Sequence, residues 1–458
     1  MEASSAKKKD TIEKLKEDKI GRLILKYAVP SIIGTIVIAI YTISNTIYIA
    51  YAPGLGDPAV GAMTVCIPLT LMGSALCSLM GGGAATRISL ALGNNNKQMA
   101  YNLLGNVFTL SFILFTYTNI FTLVFIDPTL SLIGSTQDHL FYAKDFLIYY
   151  LPPAVFLMLS LSLNNVIRAS GHPKKAMVIM MIILVSNIVL VPFSLFVLQW
   201  GMKGVAIANN IAGIIAFIPT MYHFLKKNSD FPLSFKYMKL QWKVVKSILD
   251  IGISPFLIQF TAAFVMMIIN NRLKAYGGAP AVTAYGFAYP VTVLFIWTLS
   301  GLSQGIQPII GYNYGAERID RVLKTFKITV FVGVVIGTSG LLVSLFFSSF
   351  LVGIFSESSE NIPLAIVCLK IITLGLPLSG FQMVTGSFFQ SIGAAKKAFY
   401  LSITRQLIFL IPAAFIFPLF WGVRGVWYSI PVSDLLSTLL AIGILFVLIR
   451  SFKTISNK

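Results

Sequence analysis

The sequence predicts an all-α, polytopic membrane protein with twelve transmembrane helices. Three observations support this fold class: the composition, the number of long apolar runs and the distribution of basic residues. Of the 458 residues, 56% are hydrophobic and only 11% are charged, and the mean hydropathy is +0.83. A soluble domain has about a quarter of its residues charged, so most of this chain is expected to lie in lipid.

Apolar runs of about 20 residues, the length that crosses a bilayer as a helix, occur twelve times. They lie near residues 23–49, 59–84, 100–125, 142–167, 176–199, 204–226, 245–270, 281–305, 322–350, 363–392, 398–420 and 425–449. Residues 1–22, ahead of the first run, form a basic segment, and residues 451–458 form a short tail. The pattern therefore predicts a chain that is almost entirely membrane-embedded.

The net charge of +19 follows the predicted topology. If the amino terminus is cytoplasmic, 29 of the 35 Lys and Arg residues fall on the cytoplasmic side of the alternating spans. The six on the outer side are Lys144, Lys203, Arg272, Lys274, Lys370 and Arg424. This positive-inside bias places both termini in the cytoplasm. The basic excess thus indicates topology and contact with anionic lipid, and no nucleic-acid partner is expected.

The chain also repeats itself at an offset of about 222 to 225 residues, which aligns Pro30 with Pro255 and "GHPKKA" with "IGAAKKA". Each repeat holds six apolar runs, so both halves cross the membrane in the same direction. Such halves are related by a pseudo-twofold axis along the membrane normal. We therefore predict two six-helix bundles: an N-lobe (23–226), a cytoplasmic linker (227–245) and a C-lobe (246–450).

Polar side chains within the apolar runs are costly in lipid and therefore point to a function or to a structural bond. They include Tyr41, Asn45, Asn164, Asn165, Asn187, Asn209, Asn210, Gln259, Asn270, Asn271, Gln304, Gln307, Gln382, Gln390 and Gln406. Each amide can simply bond two helices together, at roughly 0.6–2 kcal/mol. Their number favours a hydrated, amide-lined cleft between two bundles that alternate access, although duplicated bundles can also form a symmetric pore.

One acidic residue, Asp434, lies well inside a predicted span. A charge at the middle of the bilayer costs roughly 2.5–3.5 kcal/mol on insertion scales, so a partner is expected. Arg405 in the preceding span is the best internal candidate for that partner. Asp434 could form a fixed bridge to Arg405 or to Gln406. Alternatively, Asp434 could be a proton or cation site or part of a state-dependent ion pair.

The sequence contains no pattern typical of an enzyme. The glycine run at Gly81 is not followed by the Lys-Ser/Thr of a phosphate-binding loop, and no Ser-His-Asp set or metal spacing occurs. Cys66, Cys77 and Cys368 lie in apolar runs and are interpreted as packing residues. We therefore expect neither enzymatic activity nor a bound metal or other cofactor.

Four stretches resemble the multidrug and toxic compound extrusion (MATE) family, in its bacterial drug-exporter branch, and the resemblance extends over nearly the whole chain. They are "RASGHPKKAM" (168–177), "GISPFLIQF" (252–260), "GLSQGIQPIIGYNYGAERIDRV" (301–322) and "SFFQSIGAAKKA" (387–398). The resemblance implies two bundles of six helices. It also implies export of organic cations, coupled to the inward flow of H⁺ or Na⁺.

The resemblance fails at the acidic positions of the first lobe. Members of the family commonly carry an Asp where this chain has Asn45, and many carry another before the fifth-span proline, where this chain has Val191. In the seventh span, which belongs to the second lobe, another branch of the family has a Glu where this chain has Gln259. An amide cannot titrate, so the acid switch of the relatives is predicted to be absent here. Coupling could then depend on Asp434, transport could be weakly coupled, or the substrate could be neutral or anionic with a contribution from Arg405.

We expect the substrate and ion site to be a cleft with Asp434 as its ionisable group, paired with Arg405. Its other predicted members are Tyr41, Asn45, Asn187, Asn209, Gln259, Tyr289 and Gln382. The resemblance predicts an exporter of organic cations that works by alternating access. It also predicts a monomer in the bacterial inner membrane, with a small-molecule substrate and membrane lipid as its partners.

Three other functions fit parts of the sequence. A flippase for a lipid-linked precursor is disfavoured because basic residues inside the spans are few and the predicted span count is twelve. A weakly coupled transporter of a neutral metabolite would fit a first lobe that has Asn45 and Val191 in place of the acids of its relatives. A receptor or scaffold would bind a ligand without moving it across the membrane, and a counterflow measurement in vesicles would distinguish it from a transporter.

Overall fold

The computed structural model describes residues 18–93, 96–170, 172–226, 232–355 and 360–456. Within these ranges the chain is helical and contains no β-strand, as the sequence predicts. Most of the predicted basic amino-terminal segment and the first part of the predicted linker lie outside the described residues. Long apolar stretches fold as helices in lipid because a helix satisfies its backbone hydrogen bonds internally.

The helices of the first repeat follow the predicted spans closely. They are α1 (Ile20–Tyr51), α2 (Asp57–Cys77), α3 (Gly83–Gly93), α4 (Lys97–Val124), α5 (Ile126–Leu132), α6 (Gln137–Ala169), α7 (Pro173–Pro192) and α8 (Gly201–Leu225). A π-helical turn at Ser78–Gly82 joins α2 to α3, and another at Phe193–Val197 follows Pro192.

The second repeat begins with a much longer helix. Its elements are α9 (Trp242–Gly315), α10 (Ile319–Phe346), α11 (Ser348–Gly353), α12 (Ile362–Ile372), α13 (Leu376–Ser391), α14 (Ala395–Ile403), α15 (Ile411–Ile416), α16 (Pro418–Trp421) and α17 (Val423–Ser456). A 3₁₀ turn joins α12 to α13, and a π-helical turn at Thr404–Leu410 joins α14 to α15. Because α17 continues to Ser456, the predicted tail begins as helix.

Helix α9 contains two spans that meet at Gly278. Eleven helices among the described residues are long and apolar enough to cross a membrane, and one of them covers 60 residues, Pro255–Tyr314. At about 1.5 Å per residue, 60 residues are far longer than the bilayer core of about 30 Å. Gly278 has φ 62° and ψ −155°, outside the helical region and strained for any side-chain-bearing residue. Counted as two spans, α9 brings the described total to the predicted twelve.

Packing divides the chain into two compact units. Unit 1 contains residues 1–43 and 287–458, and unit 2 contains residues 44–286. The division cuts α1 and α9, so each unit includes a segment from the other sequence repeat. The predicted lobes, 23–226 and 246–450, are repeat boundaries and stay a prediction.

Glycines allow the exchanged segments to pack closely within each unit. In unit 1, an added Cβ on Gly301 would overlap the backbone of Ile32, and one on Gly305 would overlap Ala28. Small residues allow helix backbones to approach each other in membranes. Isoleucine and leucine side chains close this contact, since Leu23 of α1 and the α9 segment after Gly278 share one buried core.

In unit 2, the first half of α9 packs against the helices of the first repeat. A Cβ on Gly252 would overlap the carbonyl of Leu79, and Arg87 Nε donates to the carbonyl of Ser247 at 3.1 Å. At a separate point, Asn270 Nδ2 donates to the carbonyl of Thr64 at 3.3 Å. These bonds fix residues 242–286 to the unit that also holds α2–α8.

The second part of the predicted linker lies against α4 through Asn106, which is fully buried. Its Nδ2 donates to the carbonyls of Tyr237 (3.3 Å) and Lys239 (3.2 Å), and its Oδ1 accepts from the Gln241 backbone N–H at 2.7 Å. Thr109 Oγ1 adds a bond to the carbonyl of Met238 at 3.0 Å. The described part of this segment is therefore a docked element of unit 2.

Candidate functional site

A polar cluster lies inside unit 1, where α13, the π-helical turn after α14 and α17 come together. We call it the Asp434 cluster, and its members are Ser379, Gln382, Arg405, Asp434, Ser437 and Thr438. Side chains three or four residues apart lie on one helix face. Asp434, Ser437 and Thr438 have this spacing on α17, and Ser379 and Gln382 have it on α13.

Both carboxylate oxygens of Asp434 have partners in the protein. Arg405 Nε donates to Oδ1 at 2.6 Å, and Ser379 Oγ donates to Oδ2 at 3.1 Å. The Asp434 side chain is only 3% exposed, and it is the only Asp or Glu that is buried among the described residues. Gly375 lies directly against it, because an added Cβ there would overlap Oδ2. A buried charge with a close, hydrogen-bonded partner is the arrangement in which its desolvation is best offset.

Gln382 bonds α13 to the same face of α17. Its Nε2, which has two N–H groups to donate, faces three acceptors: the carbonyl of Asp434 at 2.7 Å, Thr438 Oγ1 at 3.0 Å and Ser437 Oγ. The Gln382 amide thus fixes α17 against α13, and one of its bonds is to the backbone of Asp434 itself.

Arg405 reaches Asp434 from a widened stretch of helix, the π-helical turn Thr404–Leu410. Pro412 has no N–H to donate to the carbonyl of Ile408, four residues earlier, and a missing bond of this kind favours a local change of helical pitch. Such π turns occur frequently at functional sites because they displace side chains from the ordinary helix face. Arg405 and Gln406 lie at the start of this turn.

A cavity of about 280 Å³ opens beside the Asp434 cluster, within unit 1. Five glutamines line it: Gln304, Gln307, Gln382, Gln390 and Gln406. Serines supply most of the remaining polar wall, and Arg405 is the only charged residue among the described ones that line it. The glutamines are in part bonded to one another and to serines, since Gln307 Nε2 donates to Ser387 Oγ (3.5 Å) and to Gln390 Oε1 (3.4 Å). An amide-lined cavity is thus present in the second repeat.

The three asparagines predicted in the first lobe are buried but lie outside this cavity, and Tyr41 is partly buried. Asn45 on α1, Asn187 on α7 and Asn209 on α8 are 8%, 2% and 5% exposed. Asn187 Nδ2 donates to the carbonyl of Ile183 (3.0 Å) and Asn209 Nδ2 to that of Val205 (2.8 Å), in each case within its own helix. Asn187 Oδ1 is buried and accepts no bond from a described residue.

Gln382, Arg405 and Asp434 are therefore the predicted site residues that the structure brings together. Tyr41 falls in unit 1 and Asn45 in unit 2, because the division between the units passes between them. Gln259 lies in the first half of α9 and Tyr289 in the second half, and neither lines the cavity. A cleft shared by all the predicted residues stays a prediction.

Sequence reasoning missed the hydroxyl members of the cluster. Ser379, Ser437 and Thr438 are unremarkable in composition, since serine and threonine are common in membrane helices. Their spacing relative to Gln382 and Asp434, at three and four residues, is the signal that could have found them. The predicted alternative bridge from Asp434 to Gln406 does not form: Asp434 bonds Arg405, and Gln406 Oε1 accepts no bond from a described residue.

A family model described as MatE matches this chain twice, at residues 30–193 and 254–416. The chain belongs to the MatE family. The two matches start 224 residues apart, which confirms the internal repeat predicted from the sequence. Membership of this family also confirms that the protein is a multi-pass membrane transporter and not an enzyme.

Relatives in this family resemble the chain over nearly its whole length. "Multidrug export protein MepA" of Staphylococcus haemolyticus (strain JCSC1435) is 26% identical over 432 residues, 94% of each chain. The same protein of Staphylococcus aureus (strain NCTC 8325 / PS 47) is 25% identical over 436 residues, again 94% of each.

Two solved structures in the MatE family share the fold. One, described as "MATE multidrug transporter DinF-BH" and solved with a bound ligand, is 30% identical with a TM-score of 0.75, covering 93% of this chain and 95% of that one. The other, an inward-facing MATE family transporter of the MOP superfamily, is 24% identical with a TM-score of 0.84, covering 90% and 95%. The second likeness concerns the fold alone.

Proposed function

We propose that this MatE family protein is a secondary active exporter of drugs or toxic metabolites, in which the Asp434 cluster couples transport to H⁺ or Na⁺. One observation carries the proposal: the only buried acid of the described residues is held by a cation at the wall of an amide-lined cavity. The relatives named as multidrug export proteins support the substrate class, with organic cations as the first compounds to test.

Two buried positions of the first lobe support this assignment, because neither has an acidic side chain. Asn45 and Val191 stand at the positions where the resemblance predicts acids, and both side chains are buried and uncharged. Neither can exchange a proton, whatever the conformation of the protein. The ionisable group of the transport cycle is therefore sought in unit 1, at Asp434.

The geometry gives Asp434 a way to link ion binding to structure. Its carboxylate joins α17 to the π-helical turn through Arg405, and to α13 through Ser379. Protonation, or a bound Na⁺, would remove or neutralise the charge that holds Arg405 Nε. The three helical segments would then lose their common charged contact, which is the kind of local electrostatic change that biases a two-state element.

The remaining features of the proposal follow from the sequence. We place the protein in the bacterial cytoplasmic membrane with both termini in the cytoplasm, as a monomer in contact with lipid and without a bound cofactor. Labelling of single cysteines introduced near each terminus, in intact cells and in inverted vesicles, tests the orientation.

The coupling proposal is tested in proteoliposomes with Asp434→Asn. Export of a cationic dye is measured with a pH gradient alone and with a Na⁺ gradient alone. We expect wild type to respond to one gradient and Asp434→Asn to lose that response. The matched control is Asp127→Asn, which removes an acid from an exposed pair with Lys144 (2.9 Å). An unchanged gradient response in Asp434→Asn refutes the coupling role.

A further inference from the structure

The guanidinium of Arg405 is only partly used by the protein. Arginine has five N–H donors, and of these the Nε–H bonds Asp434 Oδ1 at 2.6 Å. Neither Nη donates to any other described residue. The Arg405 side chain is 30% exposed whereas that of Asp434 is 3% exposed. The cavity is therefore bordered by the cation of the pair, with its acid behind it.

The rest of the cavity wall matches this positive group. Arg405 is the only charged residue among the described ones that line it, and Asp434 is not in the lining. Each Asp434 oxygen accepts one hydrogen bond, from Arg405 or from Ser379, so the group of the pair that an organic solute meets in the cavity is the guanidinium. Gln390 and Gln406 lie in the same wall and carry amide groups that can donate to an anion.

The four free N–H groups of Arg405 define the chemistry of the occupant. A guanidinium offers a planar fork that fits the two oxygens of a carboxylate, or two oxygens of a phosphate, in a bidentate arrangement. A cavity of about 280 Å³ holds such a group together with part of an organic molecule. Such bonds are strongest in sites that are partly shielded from water, as this one is.

We propose that this cavity is a binding site for an oxyanion, a carboxylate or phosphate carried by an organic solute, with the Arg405 Nη groups as its anchor. The site rests on the proposed export function and adds to it a substrate class: molecules that bear an acidic group, including zwitterionic ones. Asp434 then acts as a positioning residue, because its bond to Nε orients the fork toward the cavity.

The test uses two dyes that differ in one group. A cationic xanthene dye with an ethyl ester is compared with the zwitterionic free acid obtained by hydrolysing that ester. Affinity of the purified full-length protein for each dye is measured by fluorescence polarisation. We expect wild type to bind the acid about tenfold more tightly than the ester, the gain of one charge-assisted pair in a shielded site. The readout is this ratio of affinities.

Two variants and one control locate the effect. In Arg405→Lys, the single ammonium remains beside Asp434 and the fork is lost, so the ratio should fall to about one. Gly386→Leu fills the cavity from a position where an added Cβ meets no atom within 4 Å. It should therefore weaken binding of the acid dye without unfolding the protein. Arg321→Lys is the control, since that arginine lies outside the cavity and bonds Asn313 through its Nε at 3.0 Å.

The outcomes separate the two proposals. If wild type binds neither dye and exports no cationic dye under either gradient, the export function proposed above fails. If wild type binds and exports the ester but shows the same ratio of affinities as Arg405→Lys, the oxyanion site is refuted and the export function stands. An added short-chain phosphatidic acid distinguishes the sources of the oxyanion. Arg405-dependent displacement of the acid dye assigns the site to lipid phosphate, and its absence assigns it to the free solute.

Discussion

Removing Arg405 should destabilise this protein more than removing both members of its ion pair. In Arg405→Gln, the buried Asp434 carboxylate loses its cation and keeps only the Ser379 hydroxyl at 3.1 Å as a side-chain partner. Breaking a buried pair from one side costs about 3–5 kcal/mol. Because Arg405 is 30% exposed, water can reach the position it vacates. We therefore expect the free energy of unfolding to fall by about 3 kcal/mol, the lower end of that range.

The double variant Arg405→Gln/Asp434→Asn removes both charges and leaves two amides that can bond each other. The free energy of unfolding of this variant should fall by about 1–2 kcal/mol, the cost of one imperfect neutral hydrogen bond. Asp434→Asn alone should lie in the same range, since the freed guanidinium can turn toward the hydrated cavity. The double variant should therefore be more stable than Arg405→Gln, with a coupling energy of about 3 kcal/mol.

The assay is unfolding in detergent micelles by increasing SDS, followed by tryptophan fluorescence. Trp427, seven residues before Asp434 on the same helix, is fully buried and reports on the packing of α17. The SDS concentration at the unfolding midpoint should be highest for wild type, lower for the double variant and for Asp434→Asn, and lowest for Arg405→Gln. If Arg405→Gln unfolds together with wild type, or if the effects simply add, the buried pair does not stabilise the fold and the reasoning is wrong.

Three further predictions follow from individual contacts. Asn106→Ala removes the bonds that dock residues 232–241, so trypsin should cleave within this segment several-fold faster, as measured by mass spectrometry of the fragments. Gly278→Ala places a side chain at φ 62° and should cost about 1–3 kcal/mol, measured as a lower unfolding midpoint. Gly375→Ala forces a methyl group against Asp434 and should cost about 1–3 kcal/mol and reduce gradient-driven export, measured by midpoint and by proteoliposome flux.

The two glycine variants share one control. Gly443→Ala lies inside α17 with no atom within 4 Å of the added Cβ, so it should leave stability unchanged or raise it. Equal midpoints for the Gly278 and Gly443 variants would contradict the strain assigned to the kink, and a stable, active Gly375→Ala would contradict the close packing at Asp434. Unchanged tryptic digestion of Asn106→Ala would show that the linker segment is held by other contacts.

The repeat and the number of spans could be predicted from the sequence because they depend on local patterns. Apolar run length defines a span, and the duplicated proline and lysine positions define the repeat, which the two MatE matches confirm. The pair of Asp434 and Arg405 was also predictable, since a charge in lipid requires a compensating partner and the spans of the second repeat hold few candidates.

Packing within each unit could not be predicted in the same way. Nothing in the hydropathy indicates that α1 is divided between units at Ile43, or that residues 242–286 pack with the first repeat. These assignments depend on which small residues face one another across a distance in sequence, such as Gly301 against Ile32. The sequence lists the glycines but does not say which backbone each one meets.

The amino-acid sequence by itself determined the membrane environment, the twelve spans, the duplication and the replacement of two first-lobe acids by Asn45 and Val191. Those properties follow from residue type and spacing along one chain. Only the tertiary structure decided that Gln382 bonds the backbone of Asp434, that both carboxylate oxygens are occupied, and that Arg405 is the member of the pair that borders the cavity. The physical reason is the orientation of the side chains. Sequence gives the charge of a side chain, while folding decides which of its atoms are bonded and which remain available to a ligand.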